Sequence, residues 1–166
     1  MAEGALISIA IVLGLIALGG IFVAAEIALI SLRDSQVKQI SGKGKRGARV
    51  AKLAGNPNRF LAAVQVGITL CGFLSAALGA EQLGVYVIPR LESIGLSAGS
   101  SEIISIIGIT LVIVYISLVF GELVPKRLAL YKTESIALAT ASIVDRVAIM
   151  FRPIIWLLSH STDLIV

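Results

Sequence analysis

Three stretches of this chain are too long and too apolar to fold in water. Residues 103–121 contain no charged side chain over 19 positions, residues 60–80 none over 21, and residues 4–31 only Glu26 in 28. About 20 apolar residues carry a helix across a bilayer core. In lipid every backbone polar group must be satisfied within the segment, which leaves the helix as the open choice for so few spans. The rest of the composition agrees: 57% hydrophobic residues and a mean hydropathy of +0.99 over 166 residues leave too little polar surface for a soluble domain. The fold class expected is therefore an all-α integral membrane protein with three transmembrane helices, over about 4–31, 60–80 and 103–121. The first run has no basic flank and follows Glu3, so it reads as a retained helix rather than a cleaved signal peptide. It is longer than a bilayer needs, which allows tilt, a break at Gly19-Gly20, or extension beyond the lipid. Asn56 and Pro57 supply a cap and a first helical residue for the second.

The charges between the spans set an orientation. Arg33, Lys38, Lys43, Lys45, Arg46, Arg49, Lys52 and Arg59 face only Asp34 between the first two, and Lys126, Arg127 and Lys132 follow the third. The link between the second and third is acidic instead, with Glu81, Glu92 and Glu102 against Arg90. The positive-inside rule then puts the N-terminus outside and the basic loop and C-terminus in the cytoplasm of a cell membrane. Residues 133–166 contain no fourth span, because Asp145-Arg146 and Arg152-Pro153 interrupt them. Ile136, Ala139, Ile143, Val147 and Met150 recur at helical spacing, predicting a cytoplasmic juxtamembrane amphipathic helix on the membrane surface or against the bundle. Pro153 starts a second, with Trp156 as an interfacial anchor. The glycine-rich basic stretch at 41–47 reads as a turn between two helical extensions, with acidic lipid headgroups as an alternative use. Residues 1–166 form one transmembrane domain in this reading, and the apolar end at Leu164-Ile165-Val166 suggests a cytosolic domain beyond it.

Few residues could carry chemistry. The basic residues flank apolar runs, so the net charge of +4 points to membrane topology and no nucleic acid. There is no phosphate-cradling glycine loop and no nucleophile with a base and an orienter, so neither a primary pump nor an enzyme is expected. Cys71 reads as a small core residue. What stands out is two carboxylates in apolar sequence, Glu26 and Glu122, since an ionisable group at membrane depth faces protein interior or water. Glu122 lies four residues before Lys126, so an i,i+4 ion pair is the simplest reading. Pro125 complicates it: having no N–H, it leaves the Gly121 carbonyl without its helical donor. A freed carbonyl beside a carboxylate is material for a cation site, and Thr69, Gly72 and Ser75 on one broad face of the second span can line it. Oxygen donors without His or Cys suit Mg²⁺, Ca²⁺ or Na⁺.

Phe22-Val23-Ala24-Ala25-Glu26-Ile27-Ala28-Leu29, then Gln65-Val66-Gly67-Ile68-Thr69-Leu70, then Gly121-Glu122-Leu123-Val124-Pro125-Lys126 occur in that order. In these motifs the chain resembles the transmembrane domain of the CNNM/CorC family. The resemblance implies a homodimeric Mg²⁺ transporter domain, a secondary transporter exporting Mg²⁺ in exchange for Na⁺, with a cytosolic CBS-pair domain in the full-length protein. It also implies an ion held near Glu122 and the Gly121 carbonyl with groups from the first two spans. Where many members carry serine and asparagine, this chain has Val23 and Gly72, which offer only backbone carbonyls. Glu26, Pro125 and Lys126 are then structural or gating residues. The alternative from another class is a non-transporting cation-sensing or regulatory membrane module.

Overall fold

A computed structural model describes residues 2–166, and all of the regular structure among them is helical. Among the described residues, three helices are long and apolar enough to cross a membrane. The first, α1 (Ala2–Ser31), runs 30 residues without a break at Gly19-Gly20. The second, α4 (Pro57–Ser93), is capped as expected: the Asn56 side chain accepts from the Arg59 N–H at 3.3 Å, and Pro57 takes the first turn. It continues well past residue 80, through Glu81 and Pro89, to Ser93. At about 1.5 Å per residue such a helix outreaches the ~30 Å hydrocarbon core. The third helix, Ala98–Tyr131, also outruns the sequence estimate at both ends. It has three parts: α5 (Ala98–Ile116), a π-helical segment (Ser117–Leu123) and α6 (Val124–Tyr131).

Helix α1 is the hub, packing on α4, on the π-helical segment, on α6 and on α7 (Thr133–Met150). The approach depends on glycines facing larger groups. Gly67 of α4 receives the Phe22 ring of α1, Gly79 receives the Ile113 side chain of α5, and Gly19 lies against Cys71. The main core sits at the basic end, where Phe22, Ala25, Ala28 and Leu29 of α1 meet Phe60 and Val64 of α4 and the surrounding short helices. A smaller cluster of Val12, Ile16 and Ile113 fills the other half. The remaining apolar surface points outward, with Leu111, Val112 and Tyr115 of α5 all exposed, as suits a lipid-facing helix.

The basic loop folds into two short helices, α2 (Asp34–Ser41) and α3 (Gly44–Ala54), joined at Gly42-Lys43. Gly44 has φ of 70°, a left-handed conformation that glycine adopts without a Cβ clash. Ile40, Val50 and Leu53 turn inward from this hairpin. Helix α7 packs against it and against α1, but only in part with the predicted stripe. Ala139, Ile143 and Met150 are exposed, whereas Ala137, Thr140, Ala141, Val144, Asp145 and Ala148 are buried. Small residues take most of the inward face because they let backbones approach; of the predicted stripe, Ile136 and Val147 pack partly buried against the core and the others face outward. Asp145 is tolerated there because Lys52 reaches it at 3.1 Å and Arg49 at 4.0 Å. Glu134 accepts from Gln36 and pairs with Lys43 at 3.6 Å, tying the same two elements. Helix α8 (Arg152–Ile165) carries Pro153 in its first turn, and its Trp156 is exposed and stacked on His160.

Candidate cation site

The three long helices leave a cavity of about 480 Å³ between them. Helix α1 contributes Val23 and Glu26 to its wall, α4 contributes Gly72 and Ser75, and the bent third helix contributes Gly121, Glu122 and Lys126. Two of the residues singled out in the sequence lie elsewhere. Thr69 is exposed outside the cavity and accepts from Gln65 Nε2 at 3.3 Å. Pro125 is buried against α1, where a Cβ on Gly20 would come within 3.0 Å of its ring.

The π-helical segment decides which backbone atoms are available. The Val124 N–H donates to the Val119 carbonyl, five residues back rather than four. Phe120 thereby loses its α-helical donor, and Pro125, the residue five further on, has no N–H to replace it. Gly121 loses its own α-helical donor to the same proline. The break thus strips two adjacent carbonyls of their α-helical partners where the sequence indicated one. Gly20 makes this possible, because a side chain there would meet the Phe120 oxygen at 3.1 Å. A π-turn of this kind inside an α-helix commonly marks a functional position.

The Glu122 carboxylate accepts from Lys126 Nζ at 2.6 Å, so the i,i+4 ion pair forms despite the proline. Both side chains are close to two-fifths exposed, so water reaches the pair. Glu26 is half-buried and has no ion-pair partner among the described residues. Ser75 is buried and donates to the Gly72 carbonyl at 3.0 Å, which leaves its oxygen lone pairs free to accept. Gln65 and Ser117 also line the cavity and add neutral oxygens that the sequence reading passed over. Gln65 could have been found, since it lies seven residues, two helical turns, before Gly72. Apart from the single Cys71 thiol, the candidate donors are oxygens, among apolar walls that include Leu15, Ile16, Ile68 and Ile113. Such a set suits a hard or organic cation and not a soft metal.

Fold and cavity together define a multi-pass membrane protein with a cleft between its spans that is lined by two carboxylates. The chain matches the family described as Cyclin M transmembrane N-terminal domain over residues 10–166, and it belongs to that family. UPF0053 protein sll0260 of Synechocystis is 43% identical over 150 residues, covering 90% of this chain and 34% of that protein. UPF0053 protein YhdP of Bacillus subtilis is 31% identical over 161 residues, covering 96% and 36%. A polyamine export protein of Salmonella typhimurium is 30% identical over 151 residues, covering 90% and 34%. The chain thus spans about a third of the length of the curated relatives it matches.

Proposed function

We propose that this chain is the membrane domain of a secondary transporter that exports Mg²⁺ in exchange for Na⁺. The observation that carries the proposal is the convergence of Glu26, Glu122 and Gly121 on the wall of one cavity between three spans. Mg²⁺ gives up its water reluctantly and is usually held by one or two carboxylates with several waters retained. A site short of protein ligands at Val23 and Gly72 but roomy enough for water matches that habit. The N-terminus then lies outside, and cargo enters from the basic, cytoplasmic end. Two chains form a homodimer, and a cytosolic CBS-pair domain regulates the movement.

A second reading has its own support. The cavity is walled largely by aliphatic side chains with carboxylates among them, which also suits the methylene stem and ammonium ends of a polyamine. Relatives of this chain are named polyamine export proteins. Purified protein in sealed liposomes separates the readings, with a Mg²⁺-sensitive dye inside one set and labelled putrescine in another. The Mg²⁺ reading expects dye-reported flux that Glu122→Ala abolishes and Glu26→Gln reduces less. Putrescine flux without Mg²⁺ flux would replace the cargo. Mg²⁺ binding with no flux of either would replace the transporter with a cation sensor.

A further inference from the structure

A cation already sits on Glu122, and it belongs to the protein. Lys126 Nζ lies 2.6 Å from the carboxylate, and both side chains form part of the cavity wall. The pair also bridges the change of backbone register. Glu122 belongs to the π-helical segment and Lys126 to α6, with Pro125 between them. An i,i+4 pair in unbroken helix would be simple surface decoration. Here the ammonium is tethered to one side of the break, and its acceptor, on the other, is the carboxylate expected to receive cargo.

From this geometry we infer that Lys126 is a tethered competitor of the transported cation, a positioning residue that occupies Glu122 between cargoes and helps expel each one. The inference rests on the reading of the cavity as a cation pathway. An arriving cation must lift the ammonium away before it can use Glu122. The pair is water-accessible, so that displacement is readily reversible. On release the ammonium returns, and its local concentration is fixed by the tether and not by the solution. Glu122 therefore does not remain a bare carboxylate between cargoes. Binding is weakened and turnover is quickened by the same side chain. Glu26, without an ion-pair partner among the described residues, remains open to the cargo throughout.

The test measures Mg²⁺ binding by calorimetry and initial Mg²⁺ flux in liposomes for the full chain and three variants. If Glu122 is free in only about a tenth of molecules, Lys126→Gln tightens apparent Mg²⁺ affinity about tenfold, since apparent affinity scales with the competent fraction. Its maximal flux falls, because release loses the returning ammonium. Lys126→Arg holds the carboxylate more firmly through its planar fork, so it shifts affinity the opposite way. Arg127→Gln removes a neighbouring charge that is exposed and outside the cavity, and sets the baseline for charge alone. The signature is an apparent dissociation constant rising in the order Gln, Lys, Arg at position 126, with Lys126→Gln well beyond Arg127→Gln. Lower flux with unchanged affinity in both position 126 variants would overturn the inference and leave Lys126 a structural residue. Wild-type protein that neither binds nor transports Mg²⁺ would overturn the cargo reading and the inference together.

Discussion

Gly67→Ala is the sharpest test of how α1 and α4 are held together. A Cβ built on Gly67 would lie 2.7, 2.8 and 2.9 Å from three atoms of the Phe22 ring. Carbon atoms in contact prefer about 3.5–4.0 Å, so the ring or the helix must yield by most of an ångström. The ring cannot swing aside, because Phe22 is 4% exposed within the main core. Overpacking of this kind costs about 1–3 kcal/mol, against about 1 kcal/mol gained from replacing glycine by alanine in a helix. The clash involves three ring atoms, so the upper part of the range applies and the net loss is about 1–2 kcal/mol. Gly14→Ala is the matched control: its Cβ would meet nothing within 4 Å, so it keeps the helical gain. Thermal unfolding of the purified chain in detergent, followed by circular dichroism, should place Gly67→Ala below wild type and Gly14→Ala at or above it. The separation expected is about 5 °C or more for a chain of this size. Phe22→Leu in the Gly67→Ala background should recover part of the loss, as coupled neighbours do. Equal melting of Gly67→Ala and Gly14→Ala, with no rescue, would refute the packing.

Two further outcomes follow from polar groups placed in apolar surroundings. Ser101 and Ser105 of α5 are fully buried and their hydroxyls have no hydrogen-bond partner among the described residues, so Ser105→Ala should raise the melting temperature, with a gain of about 1 kcal/mol. Asp145→Asn removes the carboxylate shared by Lys52 and Arg49, and should loosen α3 from α7 at a cost of about 1 kcal/mol. Because both basic partners are largely in water, that cost should shrink in high salt when melting is repeated there.

The spans were legible because hydropathy over twenty residues reports the solvent directly, and α1 follows its apolar run closely. The far end of α4 was not, because Glu81, Pro89 and Arg90 end the apolar run without ending the helix. The two carboxylates announced themselves by rarity in apolar sequence, and both line the cavity. The π-helical register could not be read, since it reflects how Phe120 and Pro125 fit against Gly20, more than ninety positions away. Thr69 shows the limit of reading a face from spacing. At about 100° per residue, Gln65, Ile68, Cys71, Gly72 and Ser75 share an arc with Ala76 at its edge, and Thr69 falls just past it. The face of α7 was legible only at Ile136 and Val147, for a related reason: hydrophobicity marks two solvents here, lipid and protein, and only residue size separates them.

Gly72 offers the most direct test that cargo moves through this cavity. It lines the wall and is exposed to the space, and a Cβ there would meet nothing within 4 Å. Cys71 is the chain's one cysteine, so Gly72→Cys with Cys71→Ala provides a single thiol aimed at the opening. Mg²⁺ flux in liposomes should be near wild type before modification, fall sharply once a methanethiosulfonate reagent has labelled the thiol, and return on reduction. Complete labelling with undiminished flux would place the pathway elsewhere and contradict the account.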